Sequence, residues 1–292
     1  MSTFVVTGGS SGIGYFVSEQ LARQGHSVII AARTARKADA AMASIRTQVP
    51  GAELFFVPFD LDSLTSVRTA AEQITALGPI DGVALNAGLT SPTKGRELTE
   101  DGLEKMVGGN YVAHFALVAQ LWPALSPTAR IVSMGSMSTR LAKADLENLM
   151  QTGGKYNASR AYAYSKHGMQ GFGFELDRRL REVGSGIQSL VAHPGFAMDV
   201  QAPRRPGVND QIGARFAQNL LRPMTQGKDR GAWPMVKALT DRDAGGGDFY
   251  GPPNGLKGKP KRVKAVAQDT DPAFGRRLWQ LSEGWAGLTF DV

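Results

Sequence analysis

Few folds pass a strand through glycines directly into a helix, and this chain does so almost at once, in Thr7-Gly8-Gly9-Ser10-Ser11-Gly12-Ile13-Gly14. The apolar run Thr3-Phe4-Val5-Val6 before it reads as a buried strand. After it, Ile13, Phe16, Val17 and Leu21 have the spacing of a helix with one buried face. Such a turn leaves the first N–H groups of the helix unpaired and pointing outward. Together with the helix dipole they form a site for a phosphate or pyrophosphate. Glycine is needed because a Cβ would hold the anion off the backbone, and because a tight turn can require positive φ. The candidate cofactor-binding residues here are Gly8, Ser10, Ser11, Gly12, Ile13 and Gly14. Three residues separate Gly8 from Gly12, where the commoner dinucleotide fingerprint has one, so the loop is a longer one.

The same residues Gly8-Gly9-Ser10-Ser11-Gly12 also satisfy G-x-S-x-G, the nucleophile elbow of α/β-hydrolases. That elbow needs an oxyanion strand and loop before it, and only seven residues precede Gly8. The phosphate cradle is the better reading. The 292 residues are 42% hydrophobic and 20% charged, which fits a soluble globular domain with an ample core. With no cysteine, disulfides, thiolate metal sites and a cysteine nucleophile are all excluded. His26, His114, His167 and His193 lie on different elements with no pair at ligand spacing, so no metal is expected and each reads as a packing or loop histidine. No apolar run has membrane-spanning length and no signal peptide precedes the first strand, which predicts a cytoplasmic protein without a membrane span. The net charge is +7, densest at Lys257, Lys259, Lys261, Arg262 and Lys264. Nucleic-acid binding would want aromatics among those charges, and none occurs between Gly255 and Lys264, so a solvated loop and no nucleic-acid partner are predicted.

Short β-branched runs then alternate with helical periods. Ser27–Ala32, Leu54–Val57, Gly82–Asn86, Arg130–Met134 and Ile187–Ala192 read as further strands. Between them lie helices near Ala35–Thr47, one with Leu64, Val67, Ala71, Ile74 and Leu77 on one face, one with Val112, Phe115, Ala119 and Trp122, and one near Tyr162–Arg181. This order predicts an α/β fold with a doubly wound parallel sheet of Rossmann type, ligands binding at the carboxyl ends of the strands. One domain is expected over 1–292, with a polar insert 137–160 that has a helical turn around Asp145–Met150. An irregular substrate loop 195–231 would act as a lid. A last strand and turn at Gly247–Pro252 and a closing helix with Phe274, Leu278 and Leu281 finish the chain.

Tyr162-Ala163-Tyr164-Ser165-Lys166 is the second informative stretch. Positions four apart on a helix project from one face, so phenol and ammonium are neighbours. The ammonium is expected to lower the phenol pKa from about 10 and to let Tyr162 exchange a proton with a bound alcohol or carbonyl near neutral pH. Tyr164 turns away and reads as structural. Alone, Y-x-x-x-K is a frequent accident, but joined to the glycine turn it is specific.

With both stretches in hand, the chain resembles the short-chain dehydrogenase/reductase family over nearly its whole length. The motifs, in the expected order, are Thr7–Gly14, Asp60, Asn86-Ala87-Gly88, Asn110, Ser136, Tyr162 with Lys166, and His193-Pro194-Gly195. The resemblance implies that Tyr162 is the general acid/base, that Ser136 holds the substrate oxygen, that Lys166 holds the nicotinamide ribose and tunes Tyr162, and that Asn110 orders a relay water. It implies that Asn86, Ala87 and Gly88 line the adenine side of the cofactor, that Asp60 with Leu61 contacts the adenine edge, and that Pro194 and Gly195 join the cofactor site. Asn110-Tyr111-Val112-Ala113-His114-Phe115, the insert and the tail Arg277–Ser282 are most similar to the retinol dehydrogenase and protochlorophyllide reductase branch. Ser133 and Ser138 flank Ser136, which is preferred because it lies just past the strand end.

The second strand ends Ala31-Ala32-Arg33, with Arg36 and Lys37 close behind, where NAD enzymes carry an acidic residue. Arg33 suits a ribose 2′-phosphate, so NADP(H) is the expected cofactor. The resulting expectation is an NADP(H)-dependent enzyme interconverting an alcohol and a ketone or aldehyde on an apolar small molecule, with Met134, Met137, Leu141, Phe196 and Met198 as candidate pocket residues. The alternative is a non-catalytic NADP-binding sensor on the same fold, which would have lost part of Asn110, Ser136, Tyr162 and Lys166. Self-association is left open. One departure stands out: the resemblance puts a carboxamide-binding threonine after Pro194-Gly195, and the matching residue here is Asp199. An ionised aspartate only accepts hydrogen bonds, and its charge near a pyrophosphate is unfavourable.

Overall fold

The β-branched runs become parallel strands because each can be buried on both faces. The computed structural model describes residues 1–90, 95–210 and 223–292. In order come β1 (Thr3–Thr7), α1 (Gly12–Arg23), β2 (Ser27–Ala32), α2 (Ala35–Gln48), β3 (Leu54–Pro58), α3 (Leu64–Thr75) and β4 (Ile80–Leu85). A π-helical turn, Gly108–Val112, leads into α4 (Ala113–Leu121), followed by β5 (Leu125–Met134), α5 (Ala158–Glu182) and β6 (Gln188–Ala192). Two short strands, β7 (Ala197–Met198) and β8 (Gln226–Gly227), precede α6 (Trp233–Thr240), β9 (Phe249–Gly251), β10 (Lys261–Arg262) and α7 (Pro272–Ala286).

The main sheet runs β3-β2-β1-β4-β5-β6-β9-β10, parallel throughout except for the antiparallel edge pair β9–β10. Strand order reverses beside β1, which pairs with β2 on one side and β4 on the other. At such a switch point the loops leaving the two strands go to opposite faces and open a crevice beyond their carboxyl ends. Successive residues of each strand feed opposite cores. Val5, Ile29, Val83 and Ile131 pack with residues of α3, α4, α5 and α7 on one face. Val6, Ile30, Val132 and Leu190 pack with residues of α1, α2 and α6 on the other. This two-sided burial is what a doubly wound sheet requires.

Several sequence expectations need correction. The fifth strand begins at Leu125 rather than Arg130. Leu77 is exposed, since α3 ends at Thr75 and the chain turns before the helical stripe reaches it. Leu281 is only half-buried, while Leu278 and Trp279 carry the packing of α7. The basic segment 257–264 is not only a solvated loop, because Lys261 and Arg262 pair with β9 as an exposed edge strand. Lysines beside Pro260 there discourage pairing with a further chain. Of the expected substrate loop 195–231, residues 211–222 lie outside the described residues. Among the described residues no helix is long and apolar enough to cross a membrane.

Trp279 closes the larger core. Its ring stacks on Phe290 at 4.9 Å, meets Phe115 edge-on at 5.2 Å and lies under the Arg179 guanidinium at 4.1 Å. Its indole N–H is buried without a partner among the described residues. Trp279→Ala is expected to cost about 3–5 kcal/mol in urea unfolding. Trp279→Phe should cost clearly less, because it also removes the unpaired donor; equal losses would contradict this packing account.

Candidate active site

The glycine turn is held by its neighbours on both sides. Gly8 and Gly12 have φ of +68° and +57°, values open to glycine at little cost. A Cβ on Gly14 would stand 2.3 Å from the Gly8 carbonyl oxygen, so α1 can start against the end of β1 only with glycine there. Gly8 N–H donates to Ala31 O at 2.8 Å, which brings the end of β2, and Arg33 beyond it, to the rim of the turn. Arg33, Arg36 and Lys37 are exposed, as is Ser11, whereas Ser10 is buried and Ile13 half-buried.

Thr7 is the hub of this end of the sheet. Its fully buried hydroxyl accepts from Asn86 N at 2.9 Å and Ala87 N at 3.0 Å, and Asn86 Nδ2 donates to Thr7 O at 2.9 Å. The loop leaving β4 is thereby tied to the turn leaving β1. His114 continues the chain of contacts. Its Nδ1 faces Asn110 O at 3.0 Å and must donate, and burial lowers its pKa to about 4, so the ring is neutral and Nε2 shares the one Thr7 Oγ1 proton, at 3.0 Å, with Ala84 O at 3.1 Å. His114 was expected to be a packing histidine; it is buried, and it also links two candidate site residues.

Asn110 lies in the π-helical turn, a distortion often found at functional sites. Its side chain accepts from Leu89 N at 2.6 Å and donates to Leu89 O at 3.0 Å and to Ser165 Oγ at 3.1 Å. Gly88 passes close to this amide, since a Cβ there would stand 3.0 Å from Asn110 Oδ1. Asn110 thus fixes the 86–89 loop against the helix that carries Tyr162 and Lys166.

Ser136, Tyr162 and Lys166 come together at the end of β5. The Ser136 hydroxyl lies close enough to the Tyr162 phenol to favour its ionised form, and Lys166 Nζ lies 5.8 Å from the Tyr162 ring centre while donating to Met134 O at 2.9 Å. Ser133 is buried inside β5, and the Ser138 hydroxyl is buried without a partner among the described residues. Of the three serines, Ser136 is the one whose hydroxyl acts on the Tyr162 phenol. The expected lowering of the Tyr162 pKa is not what the geometry gives. Burial raises it, and the nearby Ser136 hydroxyl offsets this only in part. Burial also pushes the Lys166 ammonium down to about 8. The helical spacing showed the two groups as neighbours but not how little water reaches them.

A second network, not read from the sequence, stands behind Ser136. Ser136 N donates to Gln170 Oε1 at 2.9 Å, and Gln170 Nε2 donates to Asp269 Oδ2 at 2.5 Å. Asp269 Oδ1 meets His167 Nδ1 at 2.5 Å, and His167 Nε2 faces Ala142 O at 2.6 Å. Burial works against charge on His167, but the Asp269 carboxylate and the carbonyls outweigh it, so its pKa is raised. Burial likewise raises Asp269 despite His167, and the pair holds a proton between them. The C-terminal segment therefore braces the backbone of the candidate Ser136 loop.

The remaining candidates ring the same crevice. Asp60 follows β3 and accepts from Asp62 N at 3.1 Å, with Leu61 half-buried beside it. Pro194 and Gly195 follow β6, where Gly195 has φ of +66° and leaves Phe196 N to donate to Leu256 O at 2.7 Å. Asp199 pairs with Lys228, a residue the sequence did not single out. Of the expected pocket residues, Met134 is buried, Met137 and Met198 are half-buried, and Leu141 and Phe196 are exposed.

Comparison with known proteins gives a consistent picture. A family model described as short chain dehydrogenase matches residues 2–205. Mouse polyprenol dehydrogenase is 32% identical over 94% of this chain and 81% of its own length. Human retinol dehydrogenase 13 is 32% identical over 98% of this chain and 85% of its own. The crystal structure of a putative uncharacterized protein from Mycobacterium paratuberculosis superposes with a TM-score of 0.82 at 30% identity, covering 100% of this chain and 96% of that one.

The buried histidines fix the direction of a pH effect. His114 and His193 are both held down to about 4 by burial, from an ordinary value of 6.5. Below about pH 6.5 these two histidines bind fewer protons in the folded chain than in the unfolded one, and each lowers stability by up to about 1.4 kcal/mol per unit as pH falls, while Asp177, raised to about 6 by burial, works the other way. His167 does not add to this loss, because a raised pKa gives stability that is present below its unfolded value and lost as pH rises. From about pH 6.5 to 5 the urea midpoint of the wild type should fall relative to that of His114→Gln. A difference between the two that stays constant over that range would contradict the neutral, buried assignment of His114.

Proposed function

Because the chain belongs to the short-chain dehydrogenase family and, with it, to the oxidoreductases of alcohols and carbonyls, we propose that it is an NADP(H)-dependent enzyme interconverting an alcohol and a ketone or aldehyde on an apolar small molecule. The observation that carries this reading is the buried Lys166 ammonium beside the Tyr162 ring, with the Ser136 hydroxyl close to the phenol.

The glycine turn fits a dinucleotide. Among the described residues, beyond Gly12's own chain neighbours and the backbone of α1, only the Lys228 side chain lies within 4 Å of where a Cβ on Gly12 would stand, which leaves space before the first turn of α1 for a phosphate. Gly8, Ser10, Ser11, Gly12, Ile13 and Gly14 would form the cradle, with Asn86, Ala87, Gly88, Asp60 and Leu61 toward the adenine, and Lys166, Pro194 and Gly195 toward the nicotinamide. Arg33 supports the phosphorylated form of the cofactor, since an exposed guanidinium at the end of β2 can pair bidentately with a 2′-phosphate. The cofactor, when bound, supplies the hydride.

The chain itself supplies a proton and its placement. Ser136 holds the substrate oxygen against Tyr162, and its own backbone is held by Gln170. A phenol whose pKa is raised stays protonated at neutral pH, the form that gives a proton to a carbonyl oxygen as it becomes an alkoxide. Lys166, buried and anchored on Met134 O, offers a cation to the phenolate left behind. Exposed Phe196 and Leu141, with half-buried Met137 and Met198, support an apolar substrate, as do relatives named for polyprenol and retinol. The rival reading, a non-catalytic NADP sensor, expects part of the Asn110, Ser136, Tyr162 and Lys166 set to be lost, and all four are in the sequence.

Three measurements test this reading. Tyr162→Phe should lower kcat by roughly 10²–10⁴-fold with NADPH binding retained; near-full activity would remove the catalytic assignment. Arg33→Ala should erase a preference for NADPH over NADH in kcat/KM, and equal values in the wild type would refute the choice of cofactor. In the reductive direction, kcat/KM for NADPH reports groups of the free enzyme. It should fall above a pH of about 8, where Lys166 loses its charge; a profile flat to well above that pH would contradict the role given to Lys166.

A further inference from the structure

Asp199 and Lys228 are neighbours because of the smaller sheet. β7 and β8 pair in parallel, Ala197 opposite Gln226 and Met198 opposite Gly227, so the next residues of the two strands come out side by side. Lys228 Nζ donates to Asp199 Oδ2 at 2.5 Å. This ribbon is fixed to the main fold. Gln20 of α1 donates to Asp229 O at 2.8 Å, Gln226 Nε2 donates to Pro194 O at 2.8 Å, and Gln226 N donates to Phe196 O at 3.0 Å. The result is that Lys228 hangs over the glycine turn. Its Nζ lies 3.6 Å and its Cδ 4.0 Å from where a Cβ on Gly12 would stand, and among the described residues beyond Gly12's own chain neighbours and the backbone of α1 no other atom comes within 4 Å of that point.

A lysine in that place has the wrong sign for its surroundings. The first turn of α1 presents outward N–H groups with a positive partial charge, and an ammonium beside them is repelled unless an anion lies between. The anion now at hand is the Asp199 carboxylate. Asp199 is 48% exposed and Lys228 25% exposed, and ion pairs this open to water contribute little, so the pair separates at little cost. The ammonium can then turn to a doubly charged ligand seated on the glycine turn, while the carboxylate repels that ligand.

We propose that Lys228 is a ligand of the cofactor pyrophosphate and that Asp199 is its counter-ion in the free protein, displaced when the dinucleotide binds. The proposal rests on the dinucleotide reading of the glycine turn. It makes Lys228 a cation of the cradle, held against the first turn of α1 by the 226–229 segment. It also gives Asp199 a function unlike that of the threonine which the family resemblance puts there: the carboxylate holds cofactor affinity down.

The test is a calorimetric titration of wild-type protein, Lys228→Met, Lys228→Arg and Asp199→Asn with two probes. NADPH carries the pyrophosphate, and 2′-AMP carries the adenosine 2′-phosphate without it. Loss of a charge-assisted contact predicts a Kd for NADPH raised at least about tenfold in Lys228→Met, with 2′-AMP unchanged within about twofold. Lys228→Arg should recover most of the NADPH affinity, Asp199→Asn should tighten NADPH several-fold, and the dependence of NADPH affinity on salt should be weaker in Lys228→Met. An NADPH Kd in Lys228→Met within about twofold of the wild type would overturn the proposal while leaving the functional reading intact. So would equal weakening of both probes, which marks a disturbed fold rather than a lost phosphate contact, or weaker NADPH binding in Asp199→Asn. Wild-type protein that binds neither probe would overturn the functional reading, and this proposal with it.

Discussion

A helix can begin against the end of β1 only because Gly14 has no side chain. Its missing Cβ would stand 2.3 Å from the Gly8 carbonyl, so that one contact sets where α1 starts and how close it lies to the sheet. Thr7, one residue before the turn, uses its hydroxyl and carbonyl to hold Asn86 and Ala87 at the end of β4. His114 passes the same constraint to Asn110, and Asn110 to Ser165 on the helix that carries Tyr162 and Lys166. The candidate cofactor side and the candidate chemical side are thus parts of one hydrogen-bonded frame at the strand-order switch.

Burial sets the protonation states within that frame. It keeps His114 neutral, so that one ring nitrogen can donate while the other accepts, and keeps the Tyr162 phenol protonated. It lowers Lys166 to about 8, close enough to neutral that the charge is held but easily modulated. The opposite arrangement operates behind Ser136, where His167 and Asp269 share a proton and the pair braces Gln170. Neutral groups line the frame, and the retained charge stands at the lysine and the rim.

Much of this was legible in the sequence because it rests on local patterns. The glycine turn, the alternation of β-branched runs with helical periods, and Tyr162 and Lys166 four apart on a helix each follow from spacing alone. What escaped depends on contacts between distant segments. Gln170 meets Asp269 across 99 positions, and neither residue has a neighbour in sequence that hints at the pairing. Lys228 reaches the glycine turn through a pair of two-residue strands, too short to leave any periodicity. The direction of the Tyr162 shift was misjudged for a related reason: i,i+4 spacing reports that an ammonium is near but not that both groups are dry. Leu77 and Leu281 fit the helical stripe yet fall where the helix or its core contact has ended.

The central claim is that this frame presents a nicotinamide to the carbon of a carbonyl whose oxygen is held by Ser136 and Tyr162. The most direct measurement uses NADPH deuterated at C4, on each face in turn, with a hydrophobic aldehyde or ketone, and reads the product alcohol by mass spectrometry and NMR. The account predicts that deuterium from one face only arrives on the carbinol carbon, and that it does not arrive with Tyr162→Phe in the same time. NADPH oxidised without deuterium in the product, or transfer that proceeds equally well without the Tyr162 hydroxyl, would contradict it.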